Sequence, residues 1–147
     1  MTVQWREPVR PEWLDYNGHL SEAYYVLVFG RATDAVMDAV GLDETYRART
    51  GASLYTVEAH LRYLEQVRGD TTLEVTSTII GVRPKALWIW HEMQCDGTVR
   101  ATEEILALHV DTTTERALPF PADVARAAEG LRVAPPEGAG RRIVLAP

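Results

Sequence analysis

The chain has 147 residues but only one cysteine, Cys95, and one lysine, Lys85. A single thiol closes no intrachain disulfide and supplies no framework for a structural zinc site, so no metal is expected. No apolar run approaches the roughly 20 residues of a membrane-spanning helix. The opening stretch, Met1 to Glu7, lacks both the basic and the apolar region of a signal peptide, and the expected location is the cytoplasm. Basic runs are also missing apart from Arg141-Arg142, and the net charge is −6. That balance argues against nucleic acid as a partner. What remains is 46% apolar and 24% charged, the composition of one ordinary globular domain.

Hydrophobic periodicity sets the expected elements. Residues 3–9 read as a short strand, closed by Pro8 and Pro11, with a loop from Pro11 to Gly18. Leu20, Tyr24, Leu27, Val28, Ala32, Ala35, Val36, Ala39 and Val40 then recur at spacings of three and four, which predicts a long helix. Ser21 is its expected N-cap and Gly41 its stop, and its small polar side predicts that other structure wraps it. A short helix follows at about 43–50, between an Asp43 cap and Gly51. Strands are expected over Ala52 to Tyr63, Thr71 to Val82, Ala86 to Cys95 and Val99 to Asp111. Asp96-Gly97 marks a hairpin, and Glu115 to Leu118 a short return strand. Pro121 to Gly130 predicts a last helix. Residues 132–147, rich in Pro, Gly and Ala, read as a tail or extended arm beyond a single domain of residues 1–131. The expected architecture is α+β, a long antiparallel sheet curled around one central helix.

The run Asp15-Tyr16-Asn17-Gly18-His19-Leu20 stands just before that helix. From residue types alone it is a surface turn, since Asp, Asn and Gly are turn residues. Together with Ala23-Tyr24-Tyr25, Val57-Glu58-Ala59-His60-Leu61, Gly69-Asp70 and Leu108-His109-Val110-Asp111, however, it resembles the hotdog-fold acyl-CoA thioesterases. Within that family it is similar to the betainyl-CoA thioesterases of carnitine catabolism. The resemblance spans about residues 6–125. One departure is Ser21, where relatives usually carry Asn.

The resemblance implies hydrolysis of a short or polar acyl-CoA, with coenzyme A as part of the substrate and no separate cofactor. It implies a homodimer or dimer of dimers with sites at subunit junctions. Asp15 matches the family's nucleophile or general base. No Gly-x-Ser-x-Gly elbow offers an alternative. The backbone amides of Gly18, His19 or Leu20 are expected to face the developing oxyanion, near a helix N-terminus that favours negative charge. His19 either closes the loop, orients Asp15 or touches substrate. Glu58 and His60, two apart on a strand, share a face. They are either solvated or supply a second carboxylate across the subunit boundary, with Glu58 as general base. Asn17, Tyr16, Tyr24 and His60 are candidate substrate contacts. Trp13, Tyr16, Tyr24 and Tyr25 would suit a quaternary ammonium group, whereas Trp88 and Trp90 read as packing. Arg62, Arg68, Arg83, Lys85 and Arg141-Arg142 are the cations available for phosphates. Two rival readings stay open. A hotdog enoyl-CoA hydratase would carry an Asp-x-Asn-Pro-x-His type of run, which lacks a match at the Pro and the spacing. A non-catalytic acyl-CoA-binding module would need no Asp15 carboxylate.

Overall fold

The structure is a computed structural model and describes residues 1–145. Six strands form one antiparallel sheet: β1 (Val3–Pro8), β2 (Ala52–Tyr63), β3 (Thr72–Arg83), β4 (Ala86–Cys95), β5 (Thr98–Asp111) and β6 (Arg116–Ala117). Their order is β1-β3-β4-β5-β2, with β6 paired to β5, so β1 and β2 form the two edges. Among the described residues, three α-helices accompany the sheet: α1 (Glu22–Val40), α2 (Glu44–Thr50) and α3 (Ala122–Leu131). No helix among the described residues is long and apolar enough to cross a membrane.

The alternation of β3 and β4 decides which face meets α1. Leu73, Val75, Ser77 and Ile79 are buried, as are Leu87, Ile89, His91 and Met93. Period-two alternation places each set on one face. From α1 they receive Tyr25, Val28, Phe29, Ala32, Val36, Met37 and Val40, at the three-and-four spacing of one helical stripe. That stripe corrects the expected one. Tyr25, Phe29 and Met37 belong to it, whereas Leu27 is 40% exposed and Val26 47%. The helix is therefore covered on one side by its own sheet, and it is not wrapped all round.

The helix ends follow local rules. Gly41 adopts φ 90°, and the Leu42 N–H donates to Met37 O at 2.8 Å while Leu42 itself is fully buried. This is a Schellman-type stop, which needs a residue that tolerates positive φ. Asp43 caps α2 by accepting from Tyr46 N–H at 2.8 Å. Ser21 occupies the N-cap position of α1, but its side chain makes no capping hydrogen bond. Asp96 and Gly97 both take positive φ and join β4 to β5 in a tight hairpin.

A bulge at Val57 shifts the pairing of β2 with β5 between Thr56 and Glu58. It reverses which side chains face α1 beyond that point. Glu58 pairs with Leu106 and His60 with Glu104 on the outer face, while Leu61 pairs with Glu103 and Tyr63 with Ala101 on the helix side. The expected arm is seated on the outer face. Val133 N–H donates to Ile79 O at 2.9 Å, and Gly140 N–H donates to both carboxyl oxygens of Glu104 at 2.9 Å. Ala146 and Pro147, the end of that segment, lie outside the described residues.

Candidate active site

Asp15 opens a tight turn that is paired back on itself. Gly18 N–H donates to Asp15 O at 3.0 Å, and Asp15 N–H donates to His19 O at 2.8 Å. Gly18 has φ 75°, a conformation costly for any residue with a Cβ. Asp15 Oδ1 accepts from Asn17 N–H at 2.8 Å and from His19 N–H at 3.1 Å. One carboxyl oxygen is thus pinned by the backbone, and Oδ2 has no donor among the described residues. His19 orients Asp15 through its amide, not through its ring. The turn is seated on the segment before β3: His19 pairs with Arg68, and a Cβ on Gly69 would come 2.9 Å from Leu14 Cδ1. A side chain there would have to push the end of Leu14 aside.

The expected oxyanion donors need correcting. Gly18 N–H is bound to Asp15 O, His19 N–H to Asp15 Oδ1 and Leu20 N–H to Val67 O. The first two amides are consumed by closure of the turn and the third by pairing with the segment before β3. The free amides lie slightly later. Glu22 and Ala23 open α1, where helix geometry provides no acceptor for the first N–H groups, and Ser21 supplies no side-chain cap. Their dipoles favour negative charge at that point.

Glu58 and His60 share a face, as their spacing implies, but it is the outer face. Asp15 belongs to a loop whose Leu14 and Leu20 pack with the helix-side core. Within one chain the two candidate carboxylates are not brought together. Glu58 and His60 instead line an outer cavity of about 780 Å³ with Trp88, Glu104, Arg132 and Gly140. Glu104 is the hub there: it accepts from Trp88 Nε1 at 2.8 Å and lies 3.8 Å from His60 Nδ1. Trp88 and Trp90 serve as packing under the arm, since Gly140 sits against Trp88 and Gly138 against Trp90.

The expected aromatic group is divided. Tyr16 is 98% exposed and Asn17 is also exposed. Tyr24 stacks on Trp13 with ring centroids 5.6 Å apart. The Trp13 ring already carries the chain's own cations, Arg10 at 5.4 Å and Arg31 at 5.7 Å, with Arg31 held by an ion pair to Glu7. Tyr25 instead meets Tyr63 edge-on at 5.0 Å, and Tyr63 O–H donates to Glu22 O at 3.3 Å, in the first turn of α1.

Two buried groups under α1 were not singled out from the sequence. His91 is fully buried and satisfied, with Ser77 Oγ at 2.7 Å from Nδ1 and Thr33 Oγ1 at 3.0 Å from Nε2. The Thr33 hydroxyl donates to Phe29 O, so Nε2 carries the proton and Nδ1 accepts from Ser77. Burial pulls the His91 pKa down to about 3, and the ring is neutral. Glu103 pairs with His91 on one side and Leu61 on the other. It is 5% exposed, and burial pushes its pKa up to about 7. A signal for it exists in the sequence. Glu103 and Glu104 are adjacent in a strand, so one of them must face the helix.

The sequence matches the model of the Thioesterase-like superfamily over residues 9–128. It is 43% identical to the betainyl-CoA thioesterase of Pseudomonas aeruginosa, an alignment covering 95% of this chain and 92% of that one. It is 42% identical to the L-carnitine dehydrogenase/betainyl-CoA thioesterase of Agrobacterium fabrum, covering 81% of this chain and 25% of that longer protein. A solved putative thioesterase from Pseudomonas putida KT2440 superposes with a TM-score of 0.84 at 34% identity, covering 99% of this chain and 97% of the other. A Staphylococcus aureus protein solved in complex with CoA gives 0.91 at 22% identity, covering 99% and 96%, which supports the fold. The fold is the hotdog fold, and the chain belongs to the thioesterase-like superfamily. Its class is that of the thioester hydrolases.

Proposed function

We propose that this protein hydrolyses an acyl-CoA thioester to the free acid and coenzyme A, with betainyl-CoA as the acyl-CoA it serves, in carnitine metabolism. The observation that carries the site is the Asp15 turn, which pins one carboxyl oxygen and leaves the other free, just ahead of the uncapped start of α1. Oδ2 either adds to the thioester carbonyl, giving a mixed anhydride that water opens, or takes the proton of the water that adds. In both cases the carbonyl oxygen gains negative charge, and the uncapped amides of Glu22 and Ala23 are the donors assigned to it in this reading. The proton ends on the departing thiolate. Water and the chain's own carboxylate suffice, with no further cofactor. Arg68, exposed and paired through its backbone with His19, lies beside the turn and is suited to a coenzyme A phosphate.

The reading includes a cytoplasmic homodimer formed along β2. This edge strand is 12 residues long and leaves Tyr55, Val57 and Tyr63 about half exposed. An unpaired apolar edge of that length favours a second strand. Pairing there would also bring the partner's chain toward this site. The test is free-thiol release across a panel of acyl-CoAs, with the oligomeric state measured by light scattering. Turnover highest on betainyl-CoA is expected. Release from no acyl-CoA would remove the enzymatic reading, and release confined to other acyl groups would remove the betainyl assignment.

A further inference from the structure

Glu103 makes no hydrogen bond or ion pair with any described residue, although the residue as a whole is only 5% exposed. Its carboxyl oxygens are not sealed off, since Arg100 Nε is the one fully enclosed side-chain polar atom without a partner among the described residues, so the tip of Glu103 remains open to a ligand. Native buried carboxylates are almost always paired, because an unpaired charge in a dry site is costly. The nearest polar neighbour cannot provide the pairing. His91 spends both ring nitrogens on Ser77 and Thr33. Beside the aliphatic Leu61, its cross-strand partner, aromatic rings flank this strip of sheet. Tyr25 and Tyr63 meet at one end of this strip of sheet, and Phe29 stacks on His91 at the other, 5.8 Å between centroids.

We infer that Glu103, with the rings of Tyr25 and Tyr63, receives the cationic end of the acyl group and so selects a quaternary ammonium thioester over a neutral one. A soft cation that forms no hydrogen bonds suits aromatic faces, and a carboxylate behind them supplies the opposite charge. The placement fits the chemistry. Tyr63 leans on Glu22 O in the first turn of α1, the turn whose free amides face the carbonyl in the reading above. A betainyl group has one methylene between its carbonyl and its nitrogen, so both ends must be held within one short stretch of protein. The other aromatic cluster, around Trp13, is already occupied by Arg10 and Arg31. The inference rests on the acyl-CoA reading and specifies the substrate class of that same site.

The test compares betainyl-CoA with its neutral carbon isostere, 3,3-dimethylbutanoyl-CoA, in the wild type, Glu103→Gln and Tyr63→Leu. The wild type should prefer the cationic thioester. Glu103→Gln should lower kcat/KM on betainyl-CoA by roughly 30-fold, mainly through KM, and leave the isostere unchanged or improved. Tyr63→Leu should shift selectivity in the same direction, and it carries the test if Glu103→Gln does not fold. Equal losses on both substrates would assign Glu103 to the chemistry or to the fold and overturn the inference, as would no loss on either. Calorimetric titration with tetramethylammonium reads the site without turnover. If no acyl-CoA is hydrolysed, the enzymatic reading falls and this titration decides alone. Binding that Glu103→Gln abolishes upholds the cation site, and absence of binding to the wild type overturns it.

Discussion

Glu103 and Glu104 are neighbours in one strand, are 5% and 7% exposed, and point to opposite faces of the sheet. The outer one is fully employed, holding the Trp88 ring and the backbone of Gly140 and facing His60. The inner one holds nothing. Burial alone does not distinguish a structural carboxylate from a functional one; the difference lies in what the protein supplies to it. On the outer face Glu104 is spent on contacts within the protein, at the wall of the cavity, whereas the helix face carries groups that lack a partner among the described residues: Glu103, Asp15 Oδ2 and the first amides of α1.

The largest expected effect separates the two faces by activity. Asp15→Asn should reduce thiol release by about 10³-fold with acyl-CoA binding retained, since an amide neither adds to the thioester nor accepts the proton of water. Glu58→Gln, on the outer face, should stay within about threefold of wild type. The opposite pattern would move the chemistry to Glu58 and to the outer cavity. Thiol release with each purified variant decides between them.

The next effect is on stability and its pH dependence. Between pH 4.5 and about 7 the folded chain keeps a proton on Glu103 that the unfolded chain has lost. Stability from this group is therefore present at low pH and falls as pH rises through that window, by roughly 3 kcal/mol in all. His91 acts in the opposite sense. Between about pH 3 and 6.5 the unfolded chain holds a proton that the buried ring refuses, so stability rises with pH. The two slopes oppose each other where they overlap. Urea melts of the wild type should accordingly be nearly flat from pH 4.5 to 6.5, whereas Glu103→Gln should become more stable across that range. Parallel curves for the two proteins would show that Glu103 is not buried as a lone carboxyl.

The legibility of these two faces from sequence was unequal, for physical reasons. The order of elements, the Gly41 and Gly51 stops and the Asp96-Gly97 hairpin are local chemistry, and the structure follows them closely. The buried stripe of α1 lies about one position from the one the spacing predicts, because Leu27 and Ala39 satisfy the same spacing as Tyr25, Phe29 and Met37, and only the sheet decides between them. The Asp15 turn is legible as turn chemistry, and the Gly18 and His19 amides are consumed within it by Asp15, but the loss of the Leu20 amide depends on Val67, far away in the chain. The facing of Glu58 depends on the bulge at Val57, which has no glycine to announce it. Tyr63 and Glu103 meet α1 through tertiary packing alone.

A smaller effect concerns the outer face. Glu104→Ala removes the acceptor of Trp88 Nε1–H and of Gly140 N–H and leaves both donors behind. A loss of about 2 kcal/mol is expected by thermal or chemical melting. Arg141 and Arg142 follow directly, so the released arm should be cut there by trypsin under native conditions faster than in the wild type. Thiol release should persist, because the arm and Asp15 lie on different faces. A matching loss of activity would join the two faces into one site.

The smallest effect tests whether the arm is held by backbone geometry as well as by Glu104. Gly140 has φ 74°, and a Cβ there would stand 3.8 Å from the Trp88 ring, an ordinary contact. Gly140→Ala therefore introduces no clash, only the cost of a left-handed alanine, about 1 kcal/mol. That cost falls on the arm and not on the sheet beneath it. The melting midpoint should hardly move, while native trypsin cleavage at Arg141 should rise by roughly fivefold. A global loss of stability of the same size would mean that the arm and the sheet unfold as one unit, and the contrast between the employed Glu104 and the unpaired Glu103 would then lie in ligand access alone.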